Sequence, residues 1–437
     1  MAKNNNLGDF LTDIANAIRA KKGISGSINA QDFASEIGSI SGGGSGDSGG
    51  GSGDSGENSN PRGSVNDVTF YDYDGTVLYG FTKEEFLAMS EMPALPTQEG
   101  LICQGWNQTF EFAQEFVAKY GLMDLGALYI TDDGATRIHI EIAANNTTIP
   151  LIFYQSQNNG ITINWGDGNS QTTSGMYPSL NHTYTNAGEY VISLMPDDGV
   201  YLEFSGSIFG LSSKEINSDV ARKLHIGKNF RRFESKVFQY CSLLSAVTLS
   251  NTLYSIGTDV FAECYHLKCL IIPNSVTAIN GNFVNSCYSL KTLITSSEYA
   301  LPYVSYLYNL KRFIPVSSKG TNISFANLYS LRTIIIPEGV KNLAPSYISN
   351  TLISGLKIPS SVTALATGAC SSCYMLRFLD MSSHTSIPSC SSDSFKSSTK
   401  CKIIVPDNLY DQWITATNWS SIASQIIKKS DWDALNA

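Results

Sequence analysis

The sequence predicts a multidomain chain: an N-terminal helical hairpin, a small α+β domain, a β-sandwich and a C-terminal repeat solenoid. Three observations carry that reading. Cys241, Cys264 and Cys287 recur every 23 residues, each followed three positions later by Leu244, Leu267 or Leu290. A sustained period of this length with one apolar strand per repeat is a solenoid. Residues 41–64 are almost entirely Gly, Ser and scattered acids, and residues 137–204 alternate apolar and polar positions as half-buried strands do.

Residues 1–40 read as a helical attachment or oligomerisation module. Leu7, Phe10, Leu11, Ile14, Ala17 and Ile18 fall at helical spacing, Lys21 and Lys22 suit the negative end of a helix dipole, and Gly23 stops the helix. A second helix is expected over 30–38, capped by Asn29, with Phe33 and Ile37 on one face. Two helices in about 40 residues bury too little surface to stand alone. Phe10, Leu11, Ile14, Ile18, Phe33 and Ile37 are therefore the expected attachment and oligomerisation surface, and a homo-oligomer is expected. The linker at 41–64 cannot form a core and has a reach of roughly 25–30 Å.

Residues 65–135 are expected to form the small α+β domain. Asp74-Gly75 suits the turn of a hairpin in VTFYDYDGTVLYGF. Thr82 with Glu85 is a capping box for a helix through about Met89, and Phe110, Phe112, Phe116 and Val117 mark a second helix over 108–119 that Gly121 ends. A strand follows at 127–131. The sandwich is placed at 136–205 and the solenoid, with a terminal cap, at 206–430.

Composition narrows the function. Charged residues are 15% of 437, against roughly 25% in average domains, and 29 basic against 38 acidic residues leave a net charge of -9. That balance argues against nucleic-acid binding, which needs a basic face. No apolar run is long enough for membrane insertion. MAKNNNLGDF lacks the pattern of a secretory leader, and the nine cysteines suit buried thiols made in a reducing cytosol. The histidines (His139, His182, His225, His266, His384) show no ligand spacing. No metal and no cofactor is expected, and no enzyme. Cys370 and Cys373 form a CxxC without a second pair. A basic cluster (Lys214, Arg222, Lys223, Lys228, Arg231, Arg232, Lys236) precedes the repeats and reads as a solvated face protecting the first coil, the alternative being attraction of an anionic cell-surface polymer.

Motif resemblances sharpen these expectations. Trp165-Gly166-Asp167-Gly168 with His182-Thr183-Tyr184 and Gly188-Glu189-Tyr190-Val191 resembles the polycystic-kidney-disease-type (PKD) β-sandwich, which implies a spacer or binding module. In that family the Gly-Asp-Gly makes the turn. FAECYHLKCLIIPNSVTAI (261–279) resembles the BspA-like leucine-rich repeat; the likeness spans about 220–406, and 403–426 resembles that family's cap. About eight coils would give a slab roughly 40 Å long. Asp72-Tyr73-Asp74-Gly75-Thr76 resembles the first motif of haloacid-dehalogenase-type phosphohydrolases, in which Asp72 would be nucleophile and Asp74 general acid. Lys83 follows too soon to be that family's later Lys, the sole acidic pair nearby, Asp132-Asp133, sits in an apparent turn, and a hairpin turn explains the same letters. The pattern LGDFLTDIANAIRAKKG with VTFYDYDGTVLYGFTKEEF resembles modules of bacteriophage virion proteins from gut bacteria.

The residue after the cysteine column is Tyr265, Tyr288, Tyr308, Tyr329 and Tyr374 in successive matches. Stacked coils should align these as an aromatic ladder, either covering the turns or forming a platform for a sugar polymer or protein. The combined expectation is a non-enzymatic phage fibre or receptor-binding virion protein. Its N-terminal helices would join other virion proteins, and its repeats would bind host-cell or mucosal surface glycan or protein. The alternative is a bacterial cell-surface BspA-like adhesin.

Overall fold

The computed structural model describes residues 66–206, 208–209, 219–295, 304, 306–316 and 325–436. All belong to the second of two compact units, Gly56–Ala437. The helical module, with Phe10, Leu11, Ile14, Ile18, Phe33 and Ile37, and the linker lie outside the described residues.

The first strands are β1 (Val68–Tyr71), β2 (Val77–Phe81), β3 (Leu101–Trp106) and β4 (Met123–Thr131), ordered β2-β1-β4-β3. β1 and β2 form the expected hairpin; the Asp72 N–H donates to the Thr76 carbonyl at 2.8 Å. Helix α1 (Lys83–Leu87) carries the reciprocal Thr82/Glu85 capping box, satisfying two otherwise orphaned N–H groups. Helix α2 (Phe110–Tyr120) is capped by Thr109 and ends at Gly121, whose φ of 85° is left-handed. Strand β3 was not expected from sequence. Its register slips between Cys103 and Gly105, which erases the alternation that would have marked it.

Eight strands follow: β5 (Thr136–Ile142), β6 (Thr147–Ile152), β7 (Tyr154–Gln155), β8 (Ile161–Asn164), β9 (Ser170–Thr172), β10 (Ser179–Tyr184), β11 (Gly188–Pro196) and β12 (Leu202–Phe204). The solenoid begins with β13 (Ala221–His225), β14 (Phe230–Phe233), β15 (Ala246–Thr248), β16 (Ser255–Ile256), β17 (Cys269–Ile271), β18 (Ala278–Ile279) and β19 (Thr292–Ile294). These two regions are not separate bodies. β13 pairs antiparallel with β5 and parallel with β15, while β12 pairs antiparallel with β7 and parallel with β14. One apolar core therefore runs from Ile138 to Ile426. The boundary expected at 205/206 does not divide two cores, for a physical reason. The first coil would otherwise expose an apolar edge, and the open strand edges of residues 136–204 would invite pairing; each covers the other.

The α+β segment is also not free-standing. Its core of Val68, Phe70, Phe86, Val117, Met123 and Leu125 is completed by Ile314 and Val316 from the solenoid. About 65 residues bury too little apolar area alone. A second cluster joins Leu128 of β4 to Cys269, Ile271 and Ile294 on the outer face of the repeat strands. Gly126 permits this approach, since a Cβ there would lie 2.6 Å from the Ile271 side chain. Arg312 locks the contact: its Nε lies 3.1 Å from an Asp124 oxygen, and its other nitrogens donate to the Asn66 and Asp67 carbonyls at 2.7 and 2.6 Å.

Within the solenoid, Leu244, Leu267 and Leu290 point inward, as do Val247, Leu270 and Leu293. The residue before the cysteine column is left-handed in several coils, including Glu263 (φ 62°), Ser286 (59°), Asn327 (62°) and Ser372 (54°). The thiols are more than filler. The Sγ of Cys264 donates to the Phe238 carbonyl at 3.3 Å, that of Cys287 to Phe261 at 3.0 Å, and that of Cys373 to Ile348 at 3.1 Å. Each gives a second donor to a carbonyl of the preceding coil, which also accepts from the Cys241 N–H, the Cys264 N–H and the Thr351 hydroxyl respectively. At the far end, strands Lys402–Val405 and Ile426–Lys428 extend the ladder and buried Trp413 and Trp419 close the core.

Candidate functional site

One residue per coil, held by the left-handed turn before it, projects from the edge of the solenoid. Four of the expected tyrosines form a continuous stack. Ring centroids of Tyr265 and Tyr288 are 5.0 Å apart and those of Tyr288 and Tyr308 4.9 Å, with interplanar angles of 5° and 2°. Tyr329 follows at 5.6 Å, tilted by 49°. Tyr288, Tyr308 and Tyr329 are 38%, 39% and 49% exposed. The Tyr265 hydroxyl donates to Glu263, and that hydrogen bond, followed by burial, raises its pKa. Burial, followed by neighbouring Tyr288, raises that of Tyr308. Both shifts favour the neutral phenol at Tyr265 and Tyr308.

Two features differ from the expected ladder. Tyr374 is not part of the stack: in the coil between it and Tyr329 the left-handed Asn350 and column residue Thr351 are followed by Leu352, so that coil has no ring at the ladder position. Tyr374 stands alone at 68% exposure. The rings also lie face to face along the solenoid, so each covers its neighbour's face. The surface presented is mainly a ridge of ring edges and hydroxyls, its ring centroids 4.9 to 5.6 Å apart, rather than a row of open faces.

The other candidates resolve into structural roles. Asp72 is buried, and its oxygens accept from the Tyr129 hydroxyl (2.7 Å), the Tyr73 N–H (2.8 Å) and the Gln98 amide (2.6 Å). Asp74 accepts from the Thr76 N–H at 2.9 Å. Such engagement knots the hairpin. Asp167 meets His182 Nε2 at 2.7 Å, and His182 stacks on Trp165 at 4.6 Å. Although burial pushes upward, the His182 and Asn169 hydrogen bonds hold Asp167 below the usual carboxylate range. The Tyr184 hydroxyl donates to the Trp165 carbonyl at 2.8 Å, so this constellation pins a turn.

His139 and His225 meet edge to face at 5.1 Å, with Tyr73 against His225 at 5.6 Å. Burial, then His139, Lys223 and Arg137, pushes His225 down to about 3. Cys370 and Cys373 are buried, and burial raises both thiols, Cys373 to about 12, which favours packing over redox chemistry. In the basic cluster, Arg222 pairs with Glu141, Lys228 with Asp198, and Arg232 with Glu203 and Glu234; Lys214 lies outside the described residues. Among the described residues no group of three or more His, Cys, Asp or Glu is placed to hold a metal ion, and no helix is long and apolar enough to cross a membrane.

Comparison with known proteins bears on the repeats. A search of curated proteins returns no match. Among solved structures, a leucine-rich repeat protein from Bacteroides ovatus aligns at 17% identity over 56% of this chain and 70% of its own, with a TM-score of 0.40. A leucine rich cell surface protein from Faecalibacterium prausnitzii aligns at 15% identity over 55% and 86%, with a TM-score of 0.26. The pneumococcal vaccine antigen PcpA aligns at 13% over 46% and 64%, with a TM-score of 0.25. The family model described as BspA type leucine rich repeat region matches residues 213–312 and 314–412. With its parallel ladders and its inward leucines, the C-terminal region of this chain is a leucine-rich-repeat solenoid similar to the BspA type.

Proposed function

We propose that the chain is a non-enzymatic recognition protein displayed at a bacterial surface, an adhesin of the BspA-like kind, whose repeats bind a host-cell or mucosal surface. The observation that carries the reading is the tyrosine ridge. Three large aromatic side chains held in one exposed line cost solvation, and rigid tyrosines are the residues that dominate recognition surfaces. The α+β segment already covers the outer face of the repeat strands around Cys269, Ile271 and Ile294, whereas the turn edge stays open to a partner. Closed ring faces and a row of hydroxyls favour a protein partner over a sugar stacked face-on. Residues 136–204 then act as a PKD-like spacer fused to the first coil. The family match and the printed name of the Faecalibacterium neighbour support surface display.

The test compares the full chain with a Tyr288→Ser/Tyr308→Ser/Tyr329→Ser variant for binding to mucus-coated surfaces and epithelial cells. The variant is expected to lose about tenfold or more in affinity, roughly 1.4 kcal/mol. Equal binding by both proteins would refute the ridge as the contact surface. A second reading, a phage fibre joined to the particle and to its own copies by Phe10, Leu11, Ile14, Ile18, Phe33 and Ile37, is favoured by the resemblance of residues 7–23 to virion modules. It requires the protein to co-purify with infectious particles.

A further inference from the structure

The sheet formed by β7, β12, β14, β16 and β18 carries a second surface, away from the tyrosine ridge. Cross-strand partners share a face. Tyr154 stands opposite Glu203, Arg232 is the next partner of Glu203, and Ser255 and Ala278 continue the row. Next to Tyr154 lies Tyr177, 70% exposed, with ring centroids 5.0 Å apart. Tyr201 is 5.9 Å from Tyr154 on its other side, and the Arg231 guanidinium sits 4.8 Å over the Tyr201 ring. These rings are mutually tilted by 52° and 48°, so they leave faces open, unlike the parallel rings of Tyr265, Tyr288 and Tyr308.

The loop bearing Tyr177 is held firmly. Buried Gln155 donates its side-chain amide to the Gly175 carbonyl at 2.6 Å and its backbone N–H to the Met176 carbonyl at 2.9 Å. Its remaining oxygen accepts from the Thr173 hydroxyl at 2.6 Å. Holding a large aromatic ring rigidly in solvent gains nothing for folding but lowers the ordering cost of binding. Beside the rings, nearly buried Glu203 meets Arg232 at 3.0 Å, and Arg232 also meets Glu234 at 2.5 Å. The Arg232 Nε is buried with no hydrogen-bond partner. The row ends in an open cleft of about 360 Å³ lined by Gly206, Arg232, Glu234, Ser235, Ser255 and Asn280, among others.

We propose that this face binds an uncharged oligosaccharide. Open tyrosine faces take the C–H faces of sugar rings. The carboxylates of Glu203 and Glu234 cancel the guanidiniums of Arg231 and Arg232, so the field of the site selects no ionic ligand. Glu234, Ser235, Ser255 and Asn280 supply donors and acceptors for ring hydroxyls. Five strands span about 19 Å, room for several sugars in a line. This assignment stands without the ridge.

The test is calorimetric titration of the full chain with hexasaccharides of β-1,3-glucan, β-1,4-glucan, β-1,4-mannan and α-1,6-mannan. At least one is expected to bind with Kd between about 10 μM and 1 mM. Tyr177→Ala, an exposed position whose loss leaves the Gln155 clamp intact, should weaken that binding about tenfold, and Glu234→Gln by several fold. Tyr308→Ser on the ridge should leave it unchanged. Silence from all four sugars, or binding that survives Tyr177→Ala, overturns the proposal.

Discussion

Replacing Arg312 by Met should detach the α+β segment from the repeats without unfolding the solenoid. The Asp124 and Arg312 side chains are only 10% and 13% exposed. Removing one partner of a buried ion pair costs about 3–5 kcal/mol, because the other charge is left without solvent or counterion. Asp124 can limit the loss by taking a proton, which its burial, opposed by Arg312, already favours. Neutralising a carboxyl of ordinary pKa at pH 7 costs about 4 kcal/mol, at 1.36 kcal/mol per unit, which sets a ceiling on that part. The Asn66 and Asp67 carbonyls lose donors as well, about 1 kcal/mol each if water cannot replace them. A net loss of about 3–5 kcal/mol in local opening of β1 and β4 is therefore expected, read by native-state hydrogen exchange of their amides. The Arg312→Met/Asp124→Leu double variant should recover most of it, since an apolar pair of similar volume avoids the stranded charge. A single variant losing under about 1 kcal/mol, or a double variant as weak as the single, would refute the lock.

Two further outcomes follow from the same interior. His225 has its folded pKa depressed from 6.5 to about 3, so its contribution is complete above pH 6.5 and is lost as pH falls toward 3. Between pH 7 and pH 5 that is about 2 kcal/mol, and urea midpoints of His225→Gln should show correspondingly weaker acid sensitivity; parallel pH curves would contradict it. Cys287→Ala should cost about 1–3 kcal/mol by removing buried volume and the thiol's 3.0 Å hydrogen bond to the Phe261 carbonyl, which keeps the Cys264 N–H at 3.3 Å, measured by thermal unfolding; a change under about 0.5 kcal/mol would mean that neither the volume nor the thiol's bond stabilises the coil.

Local chemistry was the legible part of this molecule. The 23-residue cysteine interval places the coils, Thr82/Glu85 starts a helix and Gly121 ends one, because each of these signals acts within a few residues of chain. Docking between distant segments was not legible as such, yet it left a trace. KCLIIP and RTIIIP are apolar at consecutive positions, so their strands have apolar residues on both faces, and a strand of that kind needs cover on its outer side. Cys269 and Ile271 meet Leu128 for that reason. The ladder was legible as a column but not in its geometry. The repeat drifts through 347–353, which sets Leu352 where a ring was expected and isolates Tyr374. Nothing in a one-dimensional pattern specifies whether neighbouring rings offer faces or edges; the coil spacing decides that. The Tyr177 surface escaped sequence reading altogether, since Tyr154, Tyr201, Glu203 and Arg232 come from three strands separated along the chain.

The account stands on display of the repeats outside the cell that makes the protein. Immunogold labelling of intact, unpermeabilised bacteria with an antibody to residues 220–437 tests this most directly. Gold along the outer surface of the cell envelope is the predicted result. Label that appears only after permeabilisation, or only on released phage particles, would contradict it.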